Sequence, residues 1–97
     1  MTVGVLQLEL SVPDAFSLKD KRRVVKSLIE RVHQRYRVSI AETDFHDLHQ
    51  RAEISMAAVT NGEGEMDNLM EEIRSLVENQ PEAFLTRWDP QILEGVR

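Results

Sequence analysis

The sequence contains no cysteine. That excludes a disulfide framework and a thiolate metal site, and it fits a reducing compartment. No stretch approaches the ~20 apolar residues of a membrane span. The apolar opening is interrupted by Gln7, Glu9 and Ser11, with no basic segment before it, so a secretory leader is not expected. Glycine is sparse, and no Gly-rich phosphate loop is present. Gly62 and Gly64 precede a helical pattern, but Glu63, Glu65 and Asp67 beside them would repel phosphate. Ser17 and Ser39 have no histidine nearby in sequence and no nucleophile-elbow context. Glu71 and Glu72 lie side by side with no apolar wall to raise a pKa. Neither catalysis nor a cofactor nor a small-molecule substrate has positive support in the sequence.

What remains is 97 residues, 41% apolar and 30% charged. That is enough for a single domain, 1–97, with one modest core. The charges are unevenly placed. Residues 19–37 hold eight cations against Asp20 and Glu30, a net +6, while the rest holds four cations against fifteen acids, a net −11. A protein of net charge −5 is not a general coat for nucleic acid. Its local basic segment nevertheless has the charge a polyanion requires.

Leu6, Leu8, Leu10 and Val12 alternate with Gln7, Glu9 and Ser11, the period of a strand with one buried face. Val3 and Val5 fall on the opposite parity, where a partner or a terminus would cover them. Ser17 is a good N-cap, with Asp20 three residues on. Leu18, Val25, Leu28, Ile29, Val32 and Tyr36 then share one helical face. Lys19, Arg22, Arg23, Lys26 and His33 form a roughly opposed stripe, with Arg37 in line if the helix reaches it. Lys21 points toward the apolar side and is expected to snorkel outward.

Val38 to Ala41 reads as a second strand and Ala52 to Ala58 as a third. Glu42 to Arg51 between them is either an extended β-arm or a loop. Asn61 to Gly64 is a turn. Met66, Leu69, Met70, Ile73, Leu76 and Val77 give a second amphipathic helix, and Phe84 to Asp89 a last strand stopped at Pro90. The order β-α-β-β-α-β predicts an α+β, ferredoxin-like domain: a four-stranded antiparallel sheet with two helices on one face.

Two further clusters are weaker. The outward positions Gln7, Glu9, Ser11, Glu53, Ser55 and Ala57 carry carboxylates and no aromatic ring, the wrong chemistry for base stacking on the sheet. Asp44, His46, Asp47 and His49 have the donor types of a metal site, but no further ligand at suitable spacing. They read more simply as a polar loop satisfying its own backbone, and no metal is assigned.

The block Ser17-Leu18-Lys19-Asp20-Lys21-Arg22-Arg23, then Val25 and Lys26, is followed by Val38-Ser39-Ile40-Ala41-Glu42. Next come Asp44, Asp47-Leu48 and Gln50-Arg51-Ala52. This series resembles the YlxP-like family of small uncharacterised bacterial proteins over nearly the whole chain. Residue 49, often tryptophan in that family, is histidine here. The resemblance implies a ferredoxin-like fold and supplies no enzyme activity. Genes of this family often lie beside translation and ribosome-maturation genes, which implies an RNA-linked role. The expected protein is therefore non-enzymatic and cytoplasmic. It would bind RNA or a ribosomal particle through Lys19, Arg22, Arg23, Lys26 and Arg37. The other expectation is a protein-interaction or self-associating module.

Overall fold

In β1 (Thr2–Ser11) Leu6, Leu8 and Leu10 are buried while Val5 and Gln7 are exposed, so one face of the strand seeks cover and the other does not. The computed structural model describes residues 1–95. It places β1 inside a sheet of order β2-β3-β1-β4, with β2 at Ser39–Asp44, β3 at Arg51–Thr60 and β4 at Phe84–Leu93. Every neighbouring pair is antiparallel. Helices α1 (Leu18–Arg35) and α2 (Glu63–Glu78) bury their apolar sides against the same sheet face. This is the ferredoxin-like arrangement the alternation and helical stripes predict.

The core interleaves Leu6, Leu8, Leu10, Ile54 and Met56 from the sheet with Val24, Leu28 and Val32 of α1 and Met66, Ile73 and Val77 of α2. Each such side chain contributes about 1.5–3 kcal/mol by leaving water. Gly4 lies beneath two methionines of α2, Met66 and Met70. A Cβ there would stand 2.4 Å from Met66 Sδ and 2.7 Å from Met70 Cε, so only a residue without a side chain lets those methionines lie flat on β1.

Two strand ends differ most from the sequence reading. β4 does not stop at Asp89 but continues through Pro90 to Leu93. It is an edge strand, with Pro90 opposite Leu6, and an edge tolerates a residue that has no N–H to give. β2 runs to Asp44, past a bulge between Glu42 and Asp44. The segment after it is an ordered turn: Leu48 N–H donates to Phe45 O at 3.0 Å, and Val12 N–H donates to Gln50 O at 3.0 Å. Residues 45–50 are therefore an ordered loop between the end of β2 and the start of β3.

The uncovered sheet face has two unlike ends. At one, Val3 lies between Val59 and Leu93, and Val5 lies beside Ala57. At the other, Glu9 lies between Arg51 at 3.4 Å and Arg87 at 3.5 Å. Trp88, half-buried, packs against the core edge with the Arg74 guanidinium 5.4 Å from its ring centre.

Candidate nucleic-acid interface on the first helix

The N-terminus of α1 is built by its sequence. Ser17 is extended (φ −152°, ψ 164°), and its Oγ accepts from the Asp20 N–H at 3.1 Å. The Asp20 carboxylate returns to accept from the Phe16 N–H at 3.1 Å. This is a capping box displaced by one residue: it satisfies one N–H of the first turn and ties down the N–H of the residue before the cap. From this anchored start Lys19, Arg22 and Lys26 recur at intervals of three and four. All three are exposed, so they share one solvent face.

The predicted cations meet different fates. Lys19 and Arg22 have no carboxylate within ion-pair distance among the described residues. Lys26 is 4.0 Å from Glu30, with both side chains mostly in solvent, a contact worth only tenths of a kcal/mol. Arg23 is engaged instead. Its two terminal nitrogens donate to the two carboxylate oxygens of Glu82 at 3.0 and 3.2 Å. That hydrogen-bonded pairing holds the Glu82 carboxyl below its usual range and raises Arg23 above its own. Glu82 adopts φ 67° to present itself, a conformation uncommon outside glycine. Arg23 thus joins the basic face as half of a clasp between α1 and the turn before β4.

Arg37 is not in line with the stripe as a helical residue. Helix α1 ends at Arg35, Tyr36 is already extended, and Arg37 lies exposed in the connection to β2. Farther along α1, Arg31 donates to Gln80 Oε1 at 2.6 Å, a second tie to the loop after α2.

Lys21 departs most from expectation. It does not snorkel; it is fully buried, among the largest side chains in the core. Its ammonium donates to the Phe45 carbonyl at 2.7 Å and lies 2.9 Å from Glu42 Oε2. That oxygen is itself buried, and the ion pair lies off the hydrogen-bond direction, leaving the carbonyl bond as the directed one. Phe45 has φ 61°, which turns its carbonyl inward toward Lys21, while its ring lies under the Arg51 guanidinium at 4.1 Å. The signal in sequence was a lysine inside an apolar stripe. What the stripe did not reveal is the carboxylate waiting on β2.

The histidine-rich turn does not converge. His46 Nε2 lies 3.2 Å from Glu42 O, and Asp44 Oδ1 accepts from the Phe45 N–H at 2.7 Å. Among the described residues no group of three or more His, Asp or Glu side chains is placed to hold a metal ion. Nor, among them, is any helix long and apolar enough to cross a membrane.

Comparison with known proteins places the chain. A family described as "Protein of unknown function (DUF503)" matches residues 3–89. The chain belongs to this family. It is 31% identical over 80 residues to the "Uncharacterized protein YlxP" of Bacillus subtilis (strain 168), covering 82% of this chain and 87% of that one. The solution NMR structure of a de novo designed protein with ferredoxin fold superposes with a TM-score of 0.56. It covers 100% of this chain and 91% of the designed one at 17% identity. That likeness concerns the fold alone. The family, like its Bacillus member, has no assigned role, so the chemistry of the α1 face is the guide to function.

Proposed function

We propose that this protein is a non-enzymatic, cytoplasmic RNA- or ribonucleoprotein-binding domain that contacts phosphates through the exposed face of α1. One observation carries the reading: Lys19 and Arg22 stand in solvent without carboxylate partners among the described residues, and Lys26 beside them is barely engaged. Like charges held this close on one helix face repel, a cost a bound polyanion removes. Phosphate contacts of this kind position a ligand without reading its sequence, and each phosphate neutralised releases counterions. The expected binding is weak, tolerant of sequence and steeply salt-dependent. Labelled RNA titrated at low and moderate salt tests it, comparing the wild type with a variant carrying Lys19→Glu, Arg22→Glu, Arg23→Glu and Lys26→Glu. Equal affinity for the two proteins removes the reading.

The apolar end of the open sheet favours a second reading, self-association. Val5, Val59 and Leu93 are 36%, 65% and 56% exposed on adjacent strands. Light scattering across protein concentration and ionic strength tests it; a strict monomer at high concentration counts against it.

A further inference from the structure

Phe16 is 82% exposed, more than any other large apolar residue described. It occupies the position just before the N-cap, where an apolar residue ordinarily packs on the fourth residue of the helix. Here that fourth residue is Lys21, which is turned into the core toward Glu42 and the Phe45 carbonyl. The usual partner is absent, and the ring is left in water.

The backbone that carries the ring is nevertheless fixed on both sides. The Phe16 N–H donates to Asp20 Oδ2 at 3.1 Å, the Ala15 N–H donates to Val12 O at 3.1 Å, and Gln50 Nε2 donates to Pro13 O at 3.2 Å. Ala15 itself is buried. An exposed ring on an anchored turn can be contacted without first ordering a loop. Its immediate sequence neighbours, Ala15 and Ser17, are small; Asp14 and Lys19 beyond them are exposed and Leu18 is half-buried. A protein-binding hot spot is instead usually surrounded by apolar contacts that exclude water. Asp20, the nearest acid on the helix, is half-buried and bonded into the cap. From the ring, Lys19, Arg22 and Lys26 lead away along about 10 Å of helix at 1.5 Å per residue.

An isolated aromatic at the head of a row of cations matches the chemistry of an unpaired nucleobase with its flanking phosphates. We infer that Phe16 stacks on an unpaired base of RNA whose backbone follows Lys19, Arg22 and Lys26, so that the ligand is single-stranded or looped rather than continuous duplex. The inference rests on the RNA reading above and adds the ligand's form. A duplex keeps its bases stacked inside and gives the ring nothing to cover.

The test is fluorescence anisotropy with a labelled single-stranded RNA oligonucleotide and the corresponding blunt duplex, at one fixed low salt. The proteins are the wild type, Phe16→Ala, Phe16→Trp and the double variant Lys19→Glu/Arg22→Glu. Phe16 lies in solvent, so thermal melts of its variants should match the wild type. The wild type should favour the single strand. Phe16→Ala should lower that affinity by about 5- to 100-fold and leave duplex binding unchanged, and Phe16→Trp should retain it. The double charge variant should weaken both RNAs. If Phe16→Ala binds the single strand like the wild type while the charge variant fails, stacking is overturned and the phosphate-binding face stands. If no protein binds either RNA, both ideas fall, and Phe16 is left for an apolar pocket on another protein.

Discussion

The two helices lie on the same sheet face and are built on different terms. α2 buries Met66, Met70, Ile73, Leu76 and Val77, starts from Gly62 with no side-chain cap, and turns acids outward. α1 buries four valines and leucines together with Lys21, starts from the Ser17 cap, and turns cations outward. α2 is held by apolar area, which is forgiving about direction. α1 is also held by an ion pair, a cap and a clasp, each of which specifies a position. The helix proposed to touch a ligand is the one whose placement is constrained at several named points.

The largest test of that contrast removes one anchor from each helix. Lys21→Ala leaves the buried Glu42 Oε2 without its cation and should cost about 3–5 kcal/mol in urea unfolding. Ile73→Ala in α2 should cost about 2–5 kcal/mol through lost burial and a cavity. The double variant Lys21→Met/Glu42→Leu separates the two kinds of support. Apolar replacement of a buried pair is often neutral or stabilising, and Phe45 O retains the Leu48 N–H. Recovery to near wild-type stability is expected; a loss as large as that of Lys21→Ala would show that the charge itself is required.

Next in size is the close approach at β1. Gly4→Ala forces Met66 and Met70 aside and should cost about 1–3 kcal/mol. The low end is expected because flexible methionine tips, rather than backbone, meet the new methyl. The caps follow. Ser17→Ala should lose about 1 kcal/mol of stability. Gly62→Ser, at φ −145° with open space around its Cβ, should gain a few tenths.

The smallest effects are in pH. Arg23 holds Glu82 below the ordinary range, so the clasp contributes above the unfolded glutamate pKa. That contribution is lost as pH falls through the lowered folded value. Glu63, at the start of α2, shifts the other way. A hydrogen bond with Glu94, then charge repulsion from it, raises Glu63, so its contribution is present in acid and lost as pH rises through the raised value. Glutamine resembles the protonated acid, so unfolding midpoints for Glu82→Gln and Glu63→Gln should match the wild type near pH 3 and depart from it near pH 7 in opposite directions, Glu82→Gln less stable and Glu63→Gln more stable.

The architecture was legible because it is written in periods: the alternation of Leu6, Leu8 and Leu10 and the three-four spacing of the helical stripes need no tertiary knowledge. The site was half legible. Lys19, Arg22 and Lys26 face solvent because nothing distant intervenes. Arg23 faces solvent as read, but its partner was not legible, because Glu82 lies fifty-nine residues away and reaches it through a left-handed turn. Lys21 was misread for the same reason, since Glu42 and the Phe45 carbonyl become its surroundings only once β2 pairs with β3. β4 outran its expected end because a proline forbids only one side of a strand, and sequence does not say which strands are edges. Phe16 was passed over because its meaning depends on Lys21 having turned inward.

The inward lysine also acts as a key for the azimuth of α1. An apolar helix can roll on an apolar floor at little cost, but a turn of one residue, 100°, would drag the ammonium off its acceptors and swing an arginine toward the leucines. The Lys21 keyway therefore sets the compass bearing of every charge on the opposite flank, so that a buried residue decides where the proposed ligand would be met.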